Sequence, residues 1–576
     1  MEYVNLVVDQ APIVAAVAYE YLNGVRRSVN DFCLSLEPWQ VISYTLSLSC
    51  LLLWIRSWLQ TDQPLLVQLK LGAFHWLRKL PWIQQKVAAE LESFRKEMEE
   101  NIHKDDLRRE FYKFLPDKGL DVEDVLMEAE SYNKMGEFDY RRGRVSGAVY
   151  SDMPGEHKTL LTQIFDMYAY SNPLHPDVFP GVRKMEAEVV RMICNLFHGG
   201  SVSCGTVTSG GTESILLACL AHRNRAYEHG NHAPEMVVPV TAHAAFDKAA
   251  ELFRIRIKHV PVNKSTMQVD LWAMGRAISS NTCLLVGSAP NFPYGTIDPI
   301  DEISRLGRRY KIPVHVDACL GGFLLPFMER CDYTVKAFDF RLPGVASISC
   351  DTHKYGFTPK GTSVVMYRDK KYLHHQYFCV TDWPGGIYAS PTLGGSRSGC
   401  NIALCWATLL HFGLQGYMEA TQKIVDTTQR IKEGLEEIDT IRIVGSVDVS
   451  VVAFNSDAFS IYNFADFMSK RGWNLNILQH PPCVHVCVTV NHTKEGVVEK
   501  FLEDAKEITM ELLNNPMASD ATKTAAIYGM AASIPDRSVV REVANVYLDT
   551  TYSLPSTGRE SRKVSVSRIG GPNMRS

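Results

Sequence analysis

The residues best suited to chemistry lie in a short segment that contains His353 and Lys354. An apolar run at residues 345–349 predicts a buried strand, and Gly356 and Pro359 predict a turn directly after it. A lysine at the end of a buried strand can lose part of its ammonium hydration, which favours the neutral amine that forms a Schiff base with a carbonyl group. A surface lysine in an ordinary turn is the alternative interpretation.

Two upstream segments carry polar groups that complement this amine. Asp317 ends the predicted strand 311–317, although an aspartate at a strand end is often a simple turn residue. The sequence TSGGTES at residues 208–214 leads into an apolar helical run, 215–220. A glycine turn at a helix N-terminus presents free amides that bind phosphate, and a plain helix cap is an equally good interpretation of this turn alone.

The three segments together satisfy the requirements of one cofactor, pyridoxal phosphate. Lys354 would hold its aldehyde, Asp317 would keep its pyridine nitrogen protonated, and residues 208–214 would bind its phosphate. The combination is harder to explain by chance than any one segment.

Five motifs, at residues 171–176, 208–214, 315–322, 351–354 and 385–391, resemble the group II decarboxylase family of the fold-type I pyridoxal-phosphate enzymes. Within that family they are most similar to the branch that cleaves phosphorylated sphingoid bases. The resemblance extends from about residue 37 to about residue 547. It implies a homodimer in which the second subunit supplies part of each site.

The resemblance also implies roles for individual residues. Lys354 would carry the cofactor, Asp317 would pair with its pyridine nitrogen, and His243 would stack on its ring. The remaining implied contacts are Gly211, Thr212 and His353 to the cofactor phosphate, and Tyr150, Asn172, His175 and Lys360 to the substrate phosphate, with Tyr388 in a neighbouring loop.

Several of these residues have structural alternatives. His243 could be a core or cap residue, and Tyr150 could fill the core. Asn172 could form a turn before Pro173, and Lys360 could be a solvated loop charge.

The implied reaction is a retro-aldol cleavage of a phosphorylated sphingoid base to a long-chain aldehyde and phosphoethanolamine. An amino-acid decarboxylase of the same cofactor class is the first alternative. A membrane-tethered scaffold without activity is the second, and the intact Asp317, His353 and Lys354 argue against it.

The pattern between residues 184 and 413 predicts an α/β domain. Helical runs alternate there with short apolar strands, which is typical of a mostly parallel sheet with ligands at the carboxyl ends of its strands. His243, Asp317 and Lys354 each follow such a strand. From residue 414 to residue 551 the pattern changes and predicts a small α+β domain.

Composition indicates a globular protein without a strongly charged partner. The 576 residues are 46% apolar and carry a net charge of −4, so nothing indicates nucleic-acid binding. The 14 cysteines include no C-x-x-C pair and no cluster with histidines at zinc spacing, which predicts a reducing compartment and no metal site.

Residues 38–55 carry no formal charge and predict one transmembrane helix over residues 38–56. Trp39 and Trp54 lie near its ends, as interfacial anchors would, and Arg56 could reach the headgroups. Four serine and threonine residues dilute its apolarity, so a buried or interfacial helix is the alternative.

The charge distribution around this segment predicts its orientation. Two basic residues precede it and five follow it: Arg26, Arg27, then Arg56, Lys70, Arg78, Lys79 and Lys86. The positive-inside rule therefore puts the catalytic body in the cytosol, and the resemblance implies the endoplasmic reticulum, with the helix as a signal-anchor.

The remaining boundaries complete the predicted organisation. Residues 1–37 would form a luminal segment, residues 57–183 a stalk with helices and loops, and residues 552–576 a disordered tail rich in serine, arginine and glycine.

Overall fold

The computed structural model describes residues 19–21, 23–59, 79–104, 111–152, 155–514 and 537–554, with no side chains for 53–59 and 537–539. The chain divides into two compact units, Met1–Lys86 and Val87–Ser576. Parts of two predicted segments lie outside the described residues: the luminal segment 1–37 and the stalk 57–183. The predicted tail also lies outside them, except for residues 552–554.

The first unit contains helix α1, Pro38–Leu59, which begins where the uncharged segment begins. Most of its described apolar side chains are exposed, including Trp39, Ile42 and Leu46. Among the residues that the structure describes, no helix is long and apolar enough to cross a membrane. The side chains of residues 53–59, which include the end of the predicted 38–56 span, lie outside the described part.

A seven-stranded sheet forms the centre of the second unit, with strand order β1-β7-β6-β5-β4-β2-β3. The strands are β1 (Cys204–Thr208), β2 (Glu235–Pro239), β3 (Arg256–Val260), β4 (Thr282–Ser288), β5 (Val314–Asp317), β6 (Val345–Cys350) and β7 (Ser363–Tyr367). All neighbouring pairs are parallel except the two that involve β7. The prediction of an α/β fold with a mostly parallel sheet is therefore confirmed.

Six of the seven strands, all except β1, were recognisable in the sequence, and burial explains this for the central ones, whereas β3 at the sheet edge is only partly buried. Strands covered by helices on both faces have near-continuous apolar sequences, and every residue of β4, β5 and β6 is buried. The missed strand is β1, whose sequence CGTVT has a glycine and two threonines and no apolar run.

Helices cover this sheet and precede it. They are α2 (Pro81–Ile102), α3 (Val122–Asn133), α4 (Glu156–Tyr168), α5 (Pro180–Leu196), α6 (Gly211–Glu228), α7 (Ala245–Phe253), α8 (Leu271–Ala277), α9 (Ile300–Tyr310), α10 (Leu325–Arg330) and α11 (Lys370–Leu373). A hairpin of β8 (Phe378–Val380) and β9 (Tyr388–Ser390) follows α11.

Helix α12, Gly399–Glu436, leads from the large sheet into a smaller one and kinks at Gly413. The smaller sheet is antiparallel, with order β10-β11-β13-β12. Its elements are β10 (Arg442–Val444), β11 (Val451–Asn455), α13 (Ile461–Lys470), β12 (Asn476–Leu478), β13 (Cys483–Cys487) and α14 (Val497–Asn514), and helix α15 (Arg537–Tyr552) comes last. The proposed domain boundaries themselves stay a prediction.

The turn after β6 is joined to this smaller sheet by the hydroxyl of Tyr355. The Tyr355 side chain is fully buried, and its oxygen lies 2.6 Å from the Val488 carbonyl oxygen and 2.7 Å from Ser450 Oγ. A hydrogen bond therefore connects the segment that carries Lys354 to the end of β13.

We expect Tyr355→Phe to lower the free energy of unfolding by about 1–3 kcal/mol, because the buried Val488 carbonyl loses a donor. Chemical denaturation monitored by tryptophan fluorescence measures this change. Tyr310→Phe is the matched control, since Tyr310 is 46% exposed and its loss should cost less than about 0.5 kcal/mol. Equal effects of the two changes would contradict the assigned connection.

Candidate active site

Lys354 emerges from the turn after β6 and pairs with a buried carboxylate. Its Nζ lies 2.9 Å from Asp351 Oδ2, and the Asp351 side chain is almost fully buried. Burial raises the pKa of Asp351, but the adjacent Lys354 and His353 outweigh it and leave the pKa lowered. Asp351 is therefore an anion at neutral pH.

The same ion pair changes the expected protonation of the amine. Burial lowers the pKa of Lys354, as expected from the sequence, but the Asp351 carboxylate outweighs it and raises the pKa above its usual value. The expectation of a neutral amine is thus wrong for this arrangement, because the partner three residues earlier stabilises the ammonium form. A ligand must displace the amine from Asp351 to make it nucleophilic.

Gly211, the first residue of α6, lies against this pair. A Cβ at Gly211 would be 2.7 Å from both Asp351 carboxylate oxygens and 2.9 Å from Cys319 Sγ, so only glycine fits. Gly210 precedes it without a side-chain cap, which leaves the first amides of α6 free. Thr212 is exposed at the same helix end and lines a cavity of about 620 Å³ beside it.

Asp317, the last residue of β5, lies on the other side of Cys319. It is 7% exposed, and its Oδ1 accepts hydrogen bonds from the Cys319 amide at 3.0 Å and from Ser349 Oγ at 3.2 Å. No described residue donates to its Oδ2. One carboxylate oxygen is therefore held by the protein, and the other can accept from a ligand.

His353 and Lys360 lie on the far side of the Lys354 turn. His353 Nδ1 is 2.5 Å from the Thr362 carbonyl oxygen, and its ring approaches Gly210. Lys360 Nζ is 4.9 Å from the centre of the Tyr150 ring and 3.5 Å from the His353 carbonyl oxygen.

The part of the site between Lys354 and Lys360, called the corner below, contains two ammonium groups. Burial first, and then the neighbouring Lys354 ammonium, lower the pKa of Lys360. Among the described carboxylates, none forms an ion pair with Lys360. Burial raises the pKa of Tyr150, so its hydroxyl stays protonated and can donate a hydrogen bond.

His243 lies just beyond β2, two strands from Asp317. Its side chain is exposed, and its Nδ1 accepts a hydrogen bond of 3.1 Å from the Ala245 amide at the start of α7. The cap alternative is thus present, and the exposed ring remains available to a flat ligand at the carboxyl edge of the sheet.

Three predicted substrate residues belong to a neighbouring set of loops. Asn172 bonds Ser396 Oγ at 3.1 Å and the Arg397 amide at 3.3 Å, so it also joins two loops. The His175 side chain is exposed. Tyr388 lies in β9, with its hydroxyl against Gly395. No contact in the described structure links these three to Lys354, and their roles stay predictions.

Sequence reasoning assigned no role to Asp351, although it lies in the DTHK segment at the i, i+3 spacing of a helical-turn ion pair. It also missed Arg397, which binds Glu186 through both carboxylate oxygens at 2.6 and 3.0 Å and holds the Asn172 loop near β1. Only chain folding brings those two residues together, 211 positions apart.

The site fits pyridoxal phosphate at three separate points. Lys354 supplies an amine, the uncapped N-terminus of α6 supplies phosphate donors, and Asp317 supplies a free carboxylate oxygen for the pyridine nitrogen. Gly211 at the start of α6 lies close to Asp351, the partner of Lys354, and to Cys319. The Cys319 amide in turn donates to Asp317, so the three groups are neighbours.

Comparison with protein families agrees with this chemistry. Residues 148–457 match the pyridoxal-dependent decarboxylase conserved domain. This segment contains every residue discussed above for the site. The chain is thus a pyridoxal-phosphate-dependent enzyme of that class.

Individual relatives define the branch. The sphingosine-1-phosphate lyase of Drosophila melanogaster is 48% identical over 93% of this chain and 98% of its own length, and sphingosine-1-phosphate lyase 1 of Rattus norvegicus is 48% identical over 92% and 93%. The solved sphingosine-1-phosphate lyase of Burkholderia pseudomallei is 42% identical, with a TM-score of 0.68 over 70% of this chain and 94% of its own. The chain belongs to the sphingosine-1-phosphate lyase family, and the amino-acid decarboxylase alternative is not favoured.

Lys354→Ala should abolish covalent attachment of pyridoxal phosphate, because the amine nearest the α6 N-terminus is removed. Borohydride reduction followed by peptide mass spectrometry should locate the adduct on Lys354 in the parent protein. The Lys360→Ala protein is the control and should keep that adduct. An adduct on Lys360 or Lys311 in the parent would refute the assignment.

Proposed function

We propose that this enzyme cleaves sphingosine 1-phosphate and related sphingoid base 1-phosphates to a long-chain aldehyde and phosphoethanolamine. The observation that carries the proposal is the Lys360 ammonium, which lies over Tyr150 beside the Lys354 turn and has no described carboxylate partner. Burial, and after it the Lys354 ammonium, lower the pKa of Lys360, and a phosphate dianion beside it would offset both effects. The names of the relatives support the same substrate.

Pyridoxal phosphate, when bound, supplies an aldehyde that combines with amines and a ring that accepts the electron pair of a broken bond. Lys354 would hold the cofactor until the substrate amine replaces it, while Asp351 receives the released ammonium. Asp317 would keep the ring nitrogen protonated, and His243 would cover the ring face. Gly211, Thr212 and His353 would hold the cofactor phosphate.

Substrate orientation would then select the bond that breaks. Only a bond perpendicular to the cofactor ring overlaps its π system, so the site must turn the C2–C3 bond of the substrate to that position. Lys360, His175, Asn172 and the Tyr150 hydroxyl would fix the substrate phosphate, with Tyr388 nearby. The C3 hydroxyl loses its proton as C3 becomes the aldehyde carbon, and C2 takes up a proton.

A homodimer is part of this proposal. His175 and Tyr388 have no described contact with the Lys354 turn of their own chain, so a second subunit could use them to complete its site. The β8–β9 hairpin that carries Tyr388 also exposes large apolar side chains, such as Trp383 and Ile387. Burial of such side chains favours association.

Membrane attachment through α1 is also part of the proposal. Most of the described apolar side chains of α1 are exposed, and residues 38–55 carry no charge. The uncharged stretch 38–55, with Trp39 near one end, supports a single-pass anchor in the endoplasmic reticulum membrane. The excess of basic residues after it supports a cytosolic catalytic body.

Replacing Lys360 tests the substrate phosphate site. We expect Lys360→Ala to lower kcat/KM for sphingosine 1-phosphate by about tenfold or more, since one charge-assisted hydrogen bond is lost. The absorbance of bound cofactor between about 400 and 430 nm should be unchanged. Lys423→Ala is the control, because Lys423 is exposed on α12. Loss of cofactor with unchanged preference for phosphorylated substrate would refute this role.

Deleting residues 1–61 tests the anchor. The shortened chain should leave the membrane fraction and keep its turnover, because every proposed site residue lies at position 150 or later. Ultracentrifugation and aldehyde release measure the two properties. In sealed microsomes that contain the full-length chain, added protease should digest the catalytic body, because it would lie on the cytosolic side. A protected body, or a truncated chain that still sediments with membranes, would contradict the proposal.

A further inference from the structure

A continuous chain of buried polar side chains connects helix α6 to Asp317. His222 Nε2 lies 2.8 Å from Ser347 Oγ, and Ser347 Oγ lies 2.9 Å from His315 Nδ1. His315 Nε2 lies 3.2 Å from Ser349 Oγ, which lies 3.2 Å from Asp317 Oδ1. The two histidines and two serines are at most 1% exposed.

The register of β5 and β6 produces this chain. His315 pairs with Ser347 and Asp317 pairs with Ser349 across two parallel strands. Side chains two positions apart in a strand share one face, so the His-x-Asp of β5 lies beside the Ser-x-Ser of β6. Each motif can be found in the sequence, but only the pairing of the two strands brings them together.

Donor and acceptor chemistry gives every bond in the chain one direction. The Asp317 carboxylate only accepts, so Ser349 donates to it and accepts from His315 Nε2–H. A neutral His315 with its proton on Nε2 accepts at Nδ1 from the Ser347 hydroxyl. Ser347 in turn accepts from His222 Nε2–H, which leaves His222 Nδ1 as an acceptor, and that atom is buried without a partner among the described residues.

These hydrogen-bond directions require that His222 and His315 are both neutral, and the burial of both side chains favours the neutral form. Burial lowers the pKa of His315 to about 4, against a smaller raising effect of Asp317. Burial also lowers the pKa of His222 well below its usual value. A doubly protonated His315 would donate at both nitrogens and would reverse the bond to Ser347.

We propose that His315 is a positioning residue, which acts through Ser349 to orient the Asp317 carboxylate, with Ser347 and His222 fixing the His315 tautomer. The inference rests on the proposed contact of Asp317 with the pyridine nitrogen. Ser349 and the Cys319 amide occupy Oδ1, so Oδ2 faces the cofactor.

Pyridoxal phosphate affinity of the purified enzyme tests this chain. We expect His315→Leu and Ser349→Ala each to raise the cofactor dissociation constant about tenfold. The double variant should bind the cofactor as tightly as the single variant with the larger dissociation constant, because both changes break the same path. His315→Gln keeps an amide donor toward Ser349 and should recover affinity to within about threefold of the parent.

His485→Leu is the matched control for removal of a buried histidine. His485 is fully buried, its Nδ1 lies 2.8 Å from the Pro293 carbonyl oxygen, and burial lowers its pKa to about 4, as for His315. No hydrogen bond of His485 leads to Asp317 in the described structure. We expect this variant to lose stability and keep the cofactor affinity of the parent.

Ser349→Ala removes a single oxygen, so it keeps the test decisive if His315→Leu does not fold. Additive effects of the two changes, or unchanged affinity in Ser349→Ala, would overturn the proposal. Asp317→Asn separates the two assignments. If Asp317→Asn lowers the affinity for the cofactor and Ser349→Ala does not, only the positioning role is wrong. If neither change lowers the affinity, the proposed contact of Asp317 with the pyridine nitrogen is wrong as well. Turnover of sphingosine 1-phosphate by the parent enzyme tests the proposed reaction independently.

Discussion

The buried carboxylate of Asp351 is the constraint on which the site depends. Its oxygens lie against Gly211 at the start of α6, and Oδ2 pairs with the Lys354 ammonium. A buried carboxylate is costly unless an opposite charge compensates it, so Asp351 depends on the Lys354 ammonium, since its Oδ1 has no hydrogen-bond partner among the described residues. The amine is thereby held beside the free amides of a helix N-terminus.

Two buried carboxylates in the site are stabilised in different ways. Asp351 is neutralised by an ammonium, whereas Asp317 is surrounded by neutral donors, the Cys319 amide and the Ser349 hydroxyl. A full positive charge would occupy the carboxylate and compete with a ligand. Neutral dipoles do not neutralise the carboxylate, which suits the contact proposed between Asp317 and a protonated ring nitrogen.

The ammonium groups of Lys354 and Lys360 give the same corner an affinity for anions. Burial, and after it Lys354, lower the pKa of Lys360, and no described carboxylate forms an ion pair with Lys360. A phosphorylated substrate would supply that anion and leave its amine near the cofactor. The fold is shared with decarboxylases, so substrate choice within this class depends on such side chains and not on the sheet.

The sequence alone determined the class of fold, the cofactor and the order of the main elements. Long buried strands have apolar sequences, and the lysine, the aspartate and the glycine turn, each ambiguous alone, together satisfy the requirements of one cofactor. Strand β1 escaped because a covered strand with small polar residues has no such signal. The strands β10 and β12 have three residues each, which is too few for a recognisable pattern.

Only the tertiary structure decided the electrostatics of the site. Lys354 was expected to be neutral because burial is a local property, yet Asp351 and the packing of Gly211 make it an ammonium. The register of β5 and β6, which places His315 beside Ser347, is likewise set by pairing between strands about 30 residues apart. Charge, hydrogen-bond direction and register depend on distances through space, and a sequence specifies those distances only after the chain has folded.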